Sequence, residues 1–314
     1  MNSEMMLNYK KKVMDSCKEI ILGKDEIIEW VLISFLCSGH VLLEDLPGTG
    51  KTLLLRAFAL STGGSFKRIQ FTPDLLPSDL TGINFYNQKT GEFEFRPGPV
   101  FANMVLADEI NRATPRTQSS LLEAMAEHQV TVDGSTHMMA EPFMIMATQN
   151  PLESHGTFPL PEAQTDRFFM RLSLGYMKSE EELSLLMGED KIEALNRIQQ
   201  VVSSEETAAA KAFVKEIEVI PEVAAYLLSI VEATRNHPQI RIGVSPRGSI
   251  ALYRAAQAKA ALEGRTYVEP EDIKELAPQV LAHRLVTIGS TTRPEQETLI
   301  TSIAEEVKAP TEEF

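Results

Sequence analysis

The sequence predicts an α/β fold built on a parallel sheet and followed by a smaller all-helical domain. A short aliphatic run, Val41–Leu43, leads into a glycine-rich turn and then into a leucine-rich helical segment. A second apolar run ends in the acidic pair Asp108-Glu109. Beyond these strand patterns the chain reads as successive helices. We therefore expect an α/β domain over residues 1–176 and a helical domain over residues 177–314.

Two helices are predicted before the glycine-rich turn. Residues Asn2–Ile21 place apolar side chains at helical spacing, and Gly23 ends this helix. The segment Asp25–Ser38 is apolar on most sides, which is typical of a helix packed beneath a sheet. The turn at Ile21-Leu22-Gly23 could hold an adenine ring against aliphatic side chains, although an ordinary helix C-cap explains the glycine equally well.

The glycine-rich turn is typical of a loop that binds phosphate. Its glycines let successive backbone N–H groups point inward at a helix N-terminus, where an anion is stabilised. In such loops the lysine reaches the β- and γ-phosphates, and the hydroxyl after it is a ligand of Mg²⁺. An ordinary surface turn is the alternative, which the strand before and the helix after make less favourable. The predicted nucleotide contacts are Pro47, Gly48, Thr49, Gly50, Lys51 and Thr52, with Thr52 also a metal ligand.

One position departs from the usual phosphate-loop pattern. Counting back from Gly50, Asp45 stands where the first glycine is expected. If this position needs a positive φ, aspartate is one of the few other residues that tolerate it. Its charge would lie near the phosphates, so we expect slightly weaker nucleotide binding.

The other predicted strands of the sheet are Lys67–Phe71, Val100–Ala107, Phe143–Ala147 and Phe169–Leu174. Ligands collect at the carboxyl ends of parallel strands, so Asp108 and Glu109 would face the same crevice as Lys51. Phosphoryl transfer needs such a pair, because one acid holds Mg²⁺ and the other orients the attacking water. A solvated acidic turn is the alternative.

Asn150 follows the predicted strand Phe143–Ala147. Its side chain could touch the γ-phosphate or the water beside it, or it could simply form the turn before Pro151. Two further segments, Gly82–Phe95 and Gln129–Met139, read as β-hairpins because turn residues interrupt alternating runs.

The helical domain carries one arginine in an unusual place. Arg247 lies in the first turn of a predicted helix, where the helix dipole does not favour a cation, which is a hint of an anionic partner. The predicted helices are Glu180–Met187, Lys191–Val202, Ser204–Ile217, Pro221–Asn236, Pro246–Glu263 and Pro270–His283.

Composition excludes several classes of protein. The 314 residues include 44 acidic and 30 basic side chains, a formal net charge of −14 that argues against a general nucleic-acid surface. The apolar run Trp30–Cys37 is too short to cross a bilayer, and Met1–Lys12 does not resemble a signal peptide. Two cysteines without metal-ligand spacing fit a reducing compartment. We expect a soluble cytoplasmic protein without membrane insertion.

Taken together, PGTGKT, LADEINRA, LPEAQTDRF and SPRG resemble the motifs of the AAA+ ATPases. The chain is most similar to their MoxR family, whose members read much like GPVFANMVLADEINRATPRTQSSLLEAMAEHQVTVDG and ATQNPLESHGTFPLPEAQTDRF. The resemblance covers roughly residues 20–285. It implies a P-loop AAA+ core with β-hairpin insertions, a helical lid domain, and ATP and Mg²⁺ as ligands.

The resemblance also implies a role for individual residues. Lys51 and Thr52 would contact phosphate and Mg²⁺, Asp108 would hold the metal, and Glu109 would be the catalytic base. Asn150 would be the first sensor, and Arg247 the second sensor, which reaches the nucleotide from the lid of the same subunit.

Arg167 matches the arginine finger, which in the family acts on ATP bound by the neighbouring subunit. A salt bridge between Arg167 and Asp166 or Glu162 is the alternative. The rival arginines for the contact between subunits are Arg112, Arg116 and Arg171.

The resemblance implies a homo-oligomeric ring, usually a hexamer, that hydrolyses ATP to remodel or mature partner proteins. Proteins with von Willebrand A domains are the partners it suggests. The alternative is a scaffold that assembles on ATP with little hydrolysis of its own, for which Asp45 is an argument. A third possibility, a machine that acts on DNA, is disfavoured by the acidic charge.

Overall fold

The computed structural model describes residues 1–45, 48–150, 156–188, 191–289 and 291–310. The α/β core begins with two helices and alternates strands with helices up to residue 172. Its elements are α1 (Ser3–Lys18), α2 (Asp25–Leu36), β1 (Val41–Glu44), α3 (Lys51–Thr62), β2 (Phe66–Gln70), α4 (Pro77–Thr81), β3 (Gly82–Asn87), β4 (Glu92–Pro97), β5 (Met104–Asp108), α5 (Pro115–Glu127), β6 (Gln129–Val132), β7 (Ser135–Met138), β8 (Met144–Gln149), α6 (Glu162–Thr165) and β9 (Met170–Leu172).

Five strands form the central sheet in the order β2-β5-β8-β1-β9, with every neighbouring pair parallel. Because β1 lies between β8 and β9, the loop after it emerges within the carboxyl edge, one strand in from the end of the sheet. The register aligns Gln70 of β2 with Asp108 of β5, and Glu44 of β1 with Gln149 of β8. The polar residues at the strand ends therefore meet at one edge, as the sequence predicts.

Alternation along the strands divides the core into two layers. On β5, Met104 and Leu106 join the cluster that includes α1, α2 and α3, whereas Val105 and Ala107 join the cluster on the opposite face, with α5. The same alternation holds along β1 and β8. These strands are buried on both faces, which explains why they read as continuous apolar runs.

The predicted hairpins are present as the pairs β3–β4 and β6–β7. They contact each other, since Phe95 stacks on His137 with ring centroids 3.8 Å apart, and Asn84 donates to Asp133 over 3.0 Å. Several aromatic side chains of β3 and β4, including Tyr86 and Phe93, are exposed.

A mainly helical region follows the core and packs on the face of the sheet that carries α1 and α2. The predicted helical lid is confirmed, and it carries in addition a two-stranded antiparallel ribbon. Its elements are α7 (Ser179–Met187), α8 (Lys191–Leu195), α9 (Ser204–Glu216), α10 (Pro221–Asn236), β10 (Ile240–Ile242), α11 (Pro246–Leu262), α12 (Pro270–Leu281), β11 (Val286–Thr287) and α13 (Arg293–Glu306).

Two elements of this region differ from the sequence prediction. The helix predicted over Lys191–Val202 ends at Leu195, and the chain continues to α9 without regular structure. Helix α13 was not predicted, although Thr292 and Glu295 form a capping box at its start. No helix within the described residues is long and apolar enough to cross a membrane.

Candidate nucleotide-binding site

A cavity of about 690 Å³ opens at the carboxyl edge of the sheet, where β1, β2, β5 and β8 end. The structure brings together here the predicted residues Gly48–Thr52, Asp108, Glu109 and Asn150. Its volume lies within the range of about 300 to 1,000 Å³ that is usual for small-molecule sites. Pro47, predicted as a contact, lies outside the described residues.

The loop before α3 is shaped to receive an anion. Gly48 and Gly50 have φ angles of +82° and +92°, which other residues rarely adopt. Gly50 is the N-cap of α3, and no side chain caps this helix start. The first N–H groups of α3 therefore face the cavity, where a phosphate could accept from them. The Lys51 ammonium donates to the Asp45 carbonyl over 3.2 Å.

Asp45 does not have the conformation considered for it. It is absent from the described residues with positive φ, and the residue is only 5% exposed. The carboxylate accepts hydrogen bonds from Ser173 Oγ, Leu174 N and Gly175 N at 2.6, 2.7 and 3.0 Å. The segment after β9 therefore supplies three donors to this charge, and the expected weakening of nucleotide binding by Asp45 stays a prediction.

Asp108 is held by two neighbours from adjacent strands. Thr148 of β8 donates its hydroxyl to Asp108 Oδ1 over 2.7 Å. Arg68 of β2 donates to Asp108 Oδ2 from Nη2 over 2.6 Å and from Nε over 3.1 Å. Both carboxylate oxygens thus have partners, and one of these partners is a cation that also lines the cavity.

Glu109 lies at the turn that follows β5, with a left-handed backbone at φ +57°. Its N–H donates to Thr148 Oγ1 over 2.8 Å, so Thr148 links the two acids. The Glu109 carboxylate accepts from Gln70 Nε2 at 2.8 Å and pairs with Arg112 Nε at 3.0 Å. Its side chain is therefore oriented by residues of two other segments.

Arg68, Gln70 and Thr148 were not predicted as site residues. A signal for two of them was present, because Gln70 and Thr148 stand near the ends of predicted strands, where ligands collect. The contact of Arg68 with Asp108 depends on β2 lying beside β5, and strand order cannot be read from the local pattern.

The residues around the cavity fit Mg²⁺ through the chemistry of their donors. Mg²⁺ prefers oxygen ligands and is usually bound by one or two protein groups together with phosphates and water. The Thr52 hydroxyl and the Asp108 carboxylate line the cavity and provide such oxygens. Among the described residues no group of three or more His, Cys, Asp or Glu side chains is arranged to hold a metal by itself.

The two predicted arginines lie outside the cavity lining. Arg167 is exposed and donates from Nη1 to the carbonyl of Leu122 over 2.8 Å, a contact within the same chain that was not predicted. Arg247 lies 3.4 Å from Asp166 Oδ2, measured from Nη1. The structure therefore places Arg247 next to the segment that carries Arg167 rather than in the cavity.

Asp166 joins this segment to the helical region. Its carboxylate accepts from Ser245 Oγ at 3.0 Å and from Arg284 Nη1 at 2.6 Å, in addition to the contact with Arg247. Arg284 is almost completely buried and also donates to the carbonyl oxygens of Asp166 and Phe168, both at 2.6 Å. Burial lowers the pKa of Arg284, while the Asp166 carboxylate opposes that effect.

Gly23, the predicted contact for the adenine ring, does not line the cavity either. It has a φ of +67°, and the Glu181 carboxylate of α7 occupies the space into which a side chain would point. Next to it, Lys24 donates to the carbonyl of Tyr176 over 2.8 Å. The turn after α1 is thus covered by the beginning of the helical region.

Two family matches cover the core and the end of the chain. Residues 40–170 match the ATPase family associated with various cellular activities (AAA), and residues 232–309 match the AAA lid domain.

Whole-chain comparisons extend this match. The chain is 52% identical over 275 residues to the uncharacterized protein YeaC of Bacillus subtilis, covering 88% of this chain and 86% of that one. It is 43% identical over 280 residues to Chaperone MoxR1 of Mycobacterium tuberculosis, covering 86% and 73%. A crystal structure of a Cytophaga hutchinsonii protein assigned as an ATPase superposes with a TM-score of 0.87 at 38% identity, covering 98% of both chains.

A fourth similarity carries the family name over almost the full length. The chain is 33% identical over 308 residues to Protein MoxR of Paracoccus denitrificans, covering 90% of each. The predicted resemblance is confirmed, and the chain belongs to the MoxR family of AAA+ ATPases.

Proposed function

We propose that this protein binds ATP with Mg²⁺ in the cavity at the carboxyl edge of the sheet and hydrolyses it. The observation that carries the proposal is the convergence of the phosphate loop with Asp108 and Glu109 in one cavity. A polyphosphate at the start of α3 would be bound by backbone N–H groups and by Lys51. Asp108 is the last residue of β5 and Glu109 directly follows it, and both line the same opening.

Each acid has a separate task in this proposal. Asp108 and Thr52 would hold Mg²⁺, which when bound offsets negative charge that develops on the phosphates. Glu109 would act as general base toward the attacking water, and Gln70 and Arg112 orient its carboxylate. Asn150, which lines the same cavity, would hold the γ-phosphate or that water as first sensor.

An arginine from a neighbouring subunit would complete the site. Arg171 is buried and pairs with Glu44 of its own chain, so it is poorly placed to reach another subunit. Arg112 contacts Glu109 in its own cavity. Exposure supports Arg167 and Arg116 as candidates, and the family motif favours Arg167. Arg247 would reach the nucleotide as second sensor by leaving Asp166.

We further propose that the protein acts as a homo-oligomeric ring, most simply a hexamer, that remodels or matures partner proteins in the manner of a chaperone. The name of the M. tuberculosis relative, Chaperone MoxR1, supports this role. A partner with a von Willebrand A domain stays a prediction from the family resemblance, as does the domain boundary after residue 176. The scaffold alternative loses one argument, because Asp45 has its own donors.

Replacing Glu109 tests hydrolysis separately from binding. The variant Glu109→Gln keeps the loop and Asp108, so we expect its ATP affinity by calorimetry to stay near that of the wild type. Steady-state phosphate release should fall by about 10²-fold or more, because a general base contributes about 10² to 10⁴ in rate.

Two controls accompany this variant. Glu123→Gln removes the same charge from an exposed position on α5 and should leave phosphate release unchanged. Lys51→Ala should lose ATP binding itself. Unchanged phosphate release in Glu109→Gln would reject the assignment of the base. Sedimentation of the wild type with and without ATP measures assembly. Assembly on ATP with negligible phosphate release would favour the scaffold.

A further inference from the structure

None of the proposed catalytic roles explains why aspartate rather than glycine stands at position 45 of the phosphate loop. The contacts of its side chain provide a structural explanation. Asp45 directly follows β1, at the start of the loop, yet its side chain does not serve the cavity alone. It is almost fully buried, and both carboxylate oxygens accept hydrogen bonds from Ser173, Leu174 and Gly175. These donors belong to the segment that leaves β9 for α7.

The geometry of that segment suits an anion. Leu174 and Gly175 present consecutive backbone N–H groups to one carboxylate, and Gly175 has a φ of +60°. Successive backbone N–H groups that converge on one acceptor form a concave site for negative charge. Hydrogen bonds to an ionised acceptor are about twice as strong as those between neutral groups. A glycine at position 45 could not provide this acceptor.

The backbone of Asp45 faces the phosphate site at the same time. Its carbonyl accepts from the Lys51 ammonium over 3.2 Å. One residue therefore contacts both the lysine of the phosphate loop and the segment that leads into the helical domain. Further along, the same segment is held by Lys24, which donates to the carbonyl of Tyr176.

We propose that Asp45 is a positioning residue that fixes the segment Ser173–Gly175 to the phosphate loop and thereby strengthens nucleotide binding. This inference rests on the proposed binding of ATP in the cavity. The carboxylate restricts the conformation of the residues that lead into the phosphate loop before ATP binds. Less conformational entropy is therefore lost when the phosphates bind. It also links the loop to the connection with the helical domain, so that ATP binding further restricts Leu174 and Gly175.

If Asp45 positions the loop, replacing it should change ATP affinity in the direction opposite to the one that its charge predicts. Restoring the usual glycine with Asp45→Gly would remove a negative charge near the phosphates, and charge repulsion alone predicts tighter binding. We expect weaker binding instead. The dissociation constant for ATP and Mg²⁺ should rise about tenfold in Asp45→Gly and Asp45→Asn, the loss equivalent to one hydrogen bond to a charged group.

Two measurements test the proposal together. Calorimetry well below the melting temperature gives the dissociation constant for ATP, and amide hydrogen exchange reports on the segment Ser173–Gly175. Without nucleotide, the amides of Leu174 and Gly175 should exchange about tenfold faster in Asp45→Asn than in the wild type. ATP and Mg²⁺ should slow their exchange in the wild type and not in the variant. The control Asp74→Asn removes the same charge from an exposed residue two positions after Thr72, which lines the cavity, and both its affinity and its exchange should match the wild type.

A milder variant covers the possibility that Asp45 substitutions prevent folding. Ser173→Ala removes only one donor, the hydroxyl 2.6 Å from Asp45 Oδ1, and should weaken ATP binding about threefold. Faster exchange with an unchanged dissociation constant would overturn the inference, since Asp45 would then only stabilise the fold. Tighter binding in Asp45→Gly would overturn it in favour of charge repulsion. If the wild type itself gives no heat with ATP, the proposed function fails, and the exchange comparison still shows whether Asp45 fixes the segment.

Discussion

At the scale of single residues, the two acids of the cavity are balanced by groups of the same chain. Arg68 pairs with Asp108, and Arg112 pairs with Glu109. The chain as a whole has a net charge of −14, so these local cations matter for the approach of a polyphosphate. The same pairs imply that any cation that binds Asp108 Oδ2 must compete with a guanidinium already within 2.6 Å of it.

Arg68→Gln should therefore change how nucleotide binding depends on Mg²⁺. Arg68 is half-exposed, so the pair is screened by solvent, and we expect the half-saturating Mg²⁺ concentration to fall only about two- to fivefold. The measurement is binding of a non-hydrolysable ATP analogue over a Mg²⁺ titration.

Lys67→Gln is the matched control, because it removes the same charge from the exposed neighbouring residue on β2. Weaker analogue binding at every Mg²⁺ concentration, without a shift in midpoint, would instead indicate that Arg68 contacts phosphate.

At the scale of elements, a buried histidine ties together the start of β1, helix α5 and strand β8. His40 Nδ1 accepts from Ile145 N at 2.9 Å, so Nε2 carries the proton and donates to the carbonyl of Met125 at 3.1 Å. Burial lowers the pKa of His40 from 6.5 to about 4, with smaller effects from the hydrogen bond to Met125 and from His128, Glu141 and Lys211. Protonation of Nδ1 would also break its bond with Ile145.

The lowered pKa makes stability depend on pH. Above about pH 6.5 the histidine is neutral in both states, and its full contribution is present. As pH falls from about 6.5 to about 4 only the unfolded state takes up a proton, so about 3 kcal/mol is lost over that window.

Urea unfolding at several pH values between 7 and 4.5 measures this loss. His40→Gln should be less stable at pH 7 than the wild type, but its stability should fall less steeply with acid. Parallel curves for the two proteins would contradict the assignment to His40. His283, whose pKa burial also lowers, contributes a loss of the same sign to both proteins and cancels in the comparison.

Most elements could be predicted from the sequence because their signals are local. The strands β1, β5 and β8 are apolar runs, and the hairpins carry turn residues between alternating segments. Helix α13 buries only Ile300, Ile303 and Ala304, so its apolar pattern is weak even though its capping box could have revealed it. The three residues of β10 are too few to give a periodic signal.

In the candidate site, too, some residues could be predicted from local sequence signals and others could not. The phosphate loop and the acids follow from short motifs and from the rule that strand ends converge. The pairs of Arg68 with Asp108 and of Asp45 with Ser173 join residues 40 and 128 positions apart in the sequence. Such pairs depend on strand order, which a single sequence does not specify.

At the scale of the whole molecule, the helical region and the segment of Arg167 are joined through buried contacts. Arg284 donates to the carbonyl oxygens of Asp166 and Phe168 on either side of Arg167. Arg247 and Ser245 contact the Asp166 carboxylate from α11 and its N-cap. Arg167 lies outside the cavity lining of its own chain, which favours the proposal that it completes the site of a second copy of the chain.

Mixing two inactive variants tests completion between subunits. Glu109→Gln lacks the proposed base and keeps Arg167, whereas Arg167→Ala keeps the Glu109 carboxylate. In a closed ring of heterologous interfaces, random mixing in equal amounts should recover about a quarter of the wild-type rate of phosphate release.

The double variant Glu109→Gln with Arg167→Ala, mixed with Glu109→Gln, is the control and should stay inactive. If the mixture of single variants is no more active than the two proteins measured apart, Arg167 does not act on a neighbour.

The left-handed turn at Glu109 has a consequence for the free energy of folding. A glycine adopts this conformation without strain, whereas a residue with a Cβ atom loses about 1 kcal/mol or more. Glu109→Gly would relieve that strain and at the same time remove the carboxylate from the cavity. On the proposed role of Glu109 as the base, backbone conformation and hydrolysis favour different amino acids at this position, because glycine would avoid the strain whereas glutamate supplies the carboxylate.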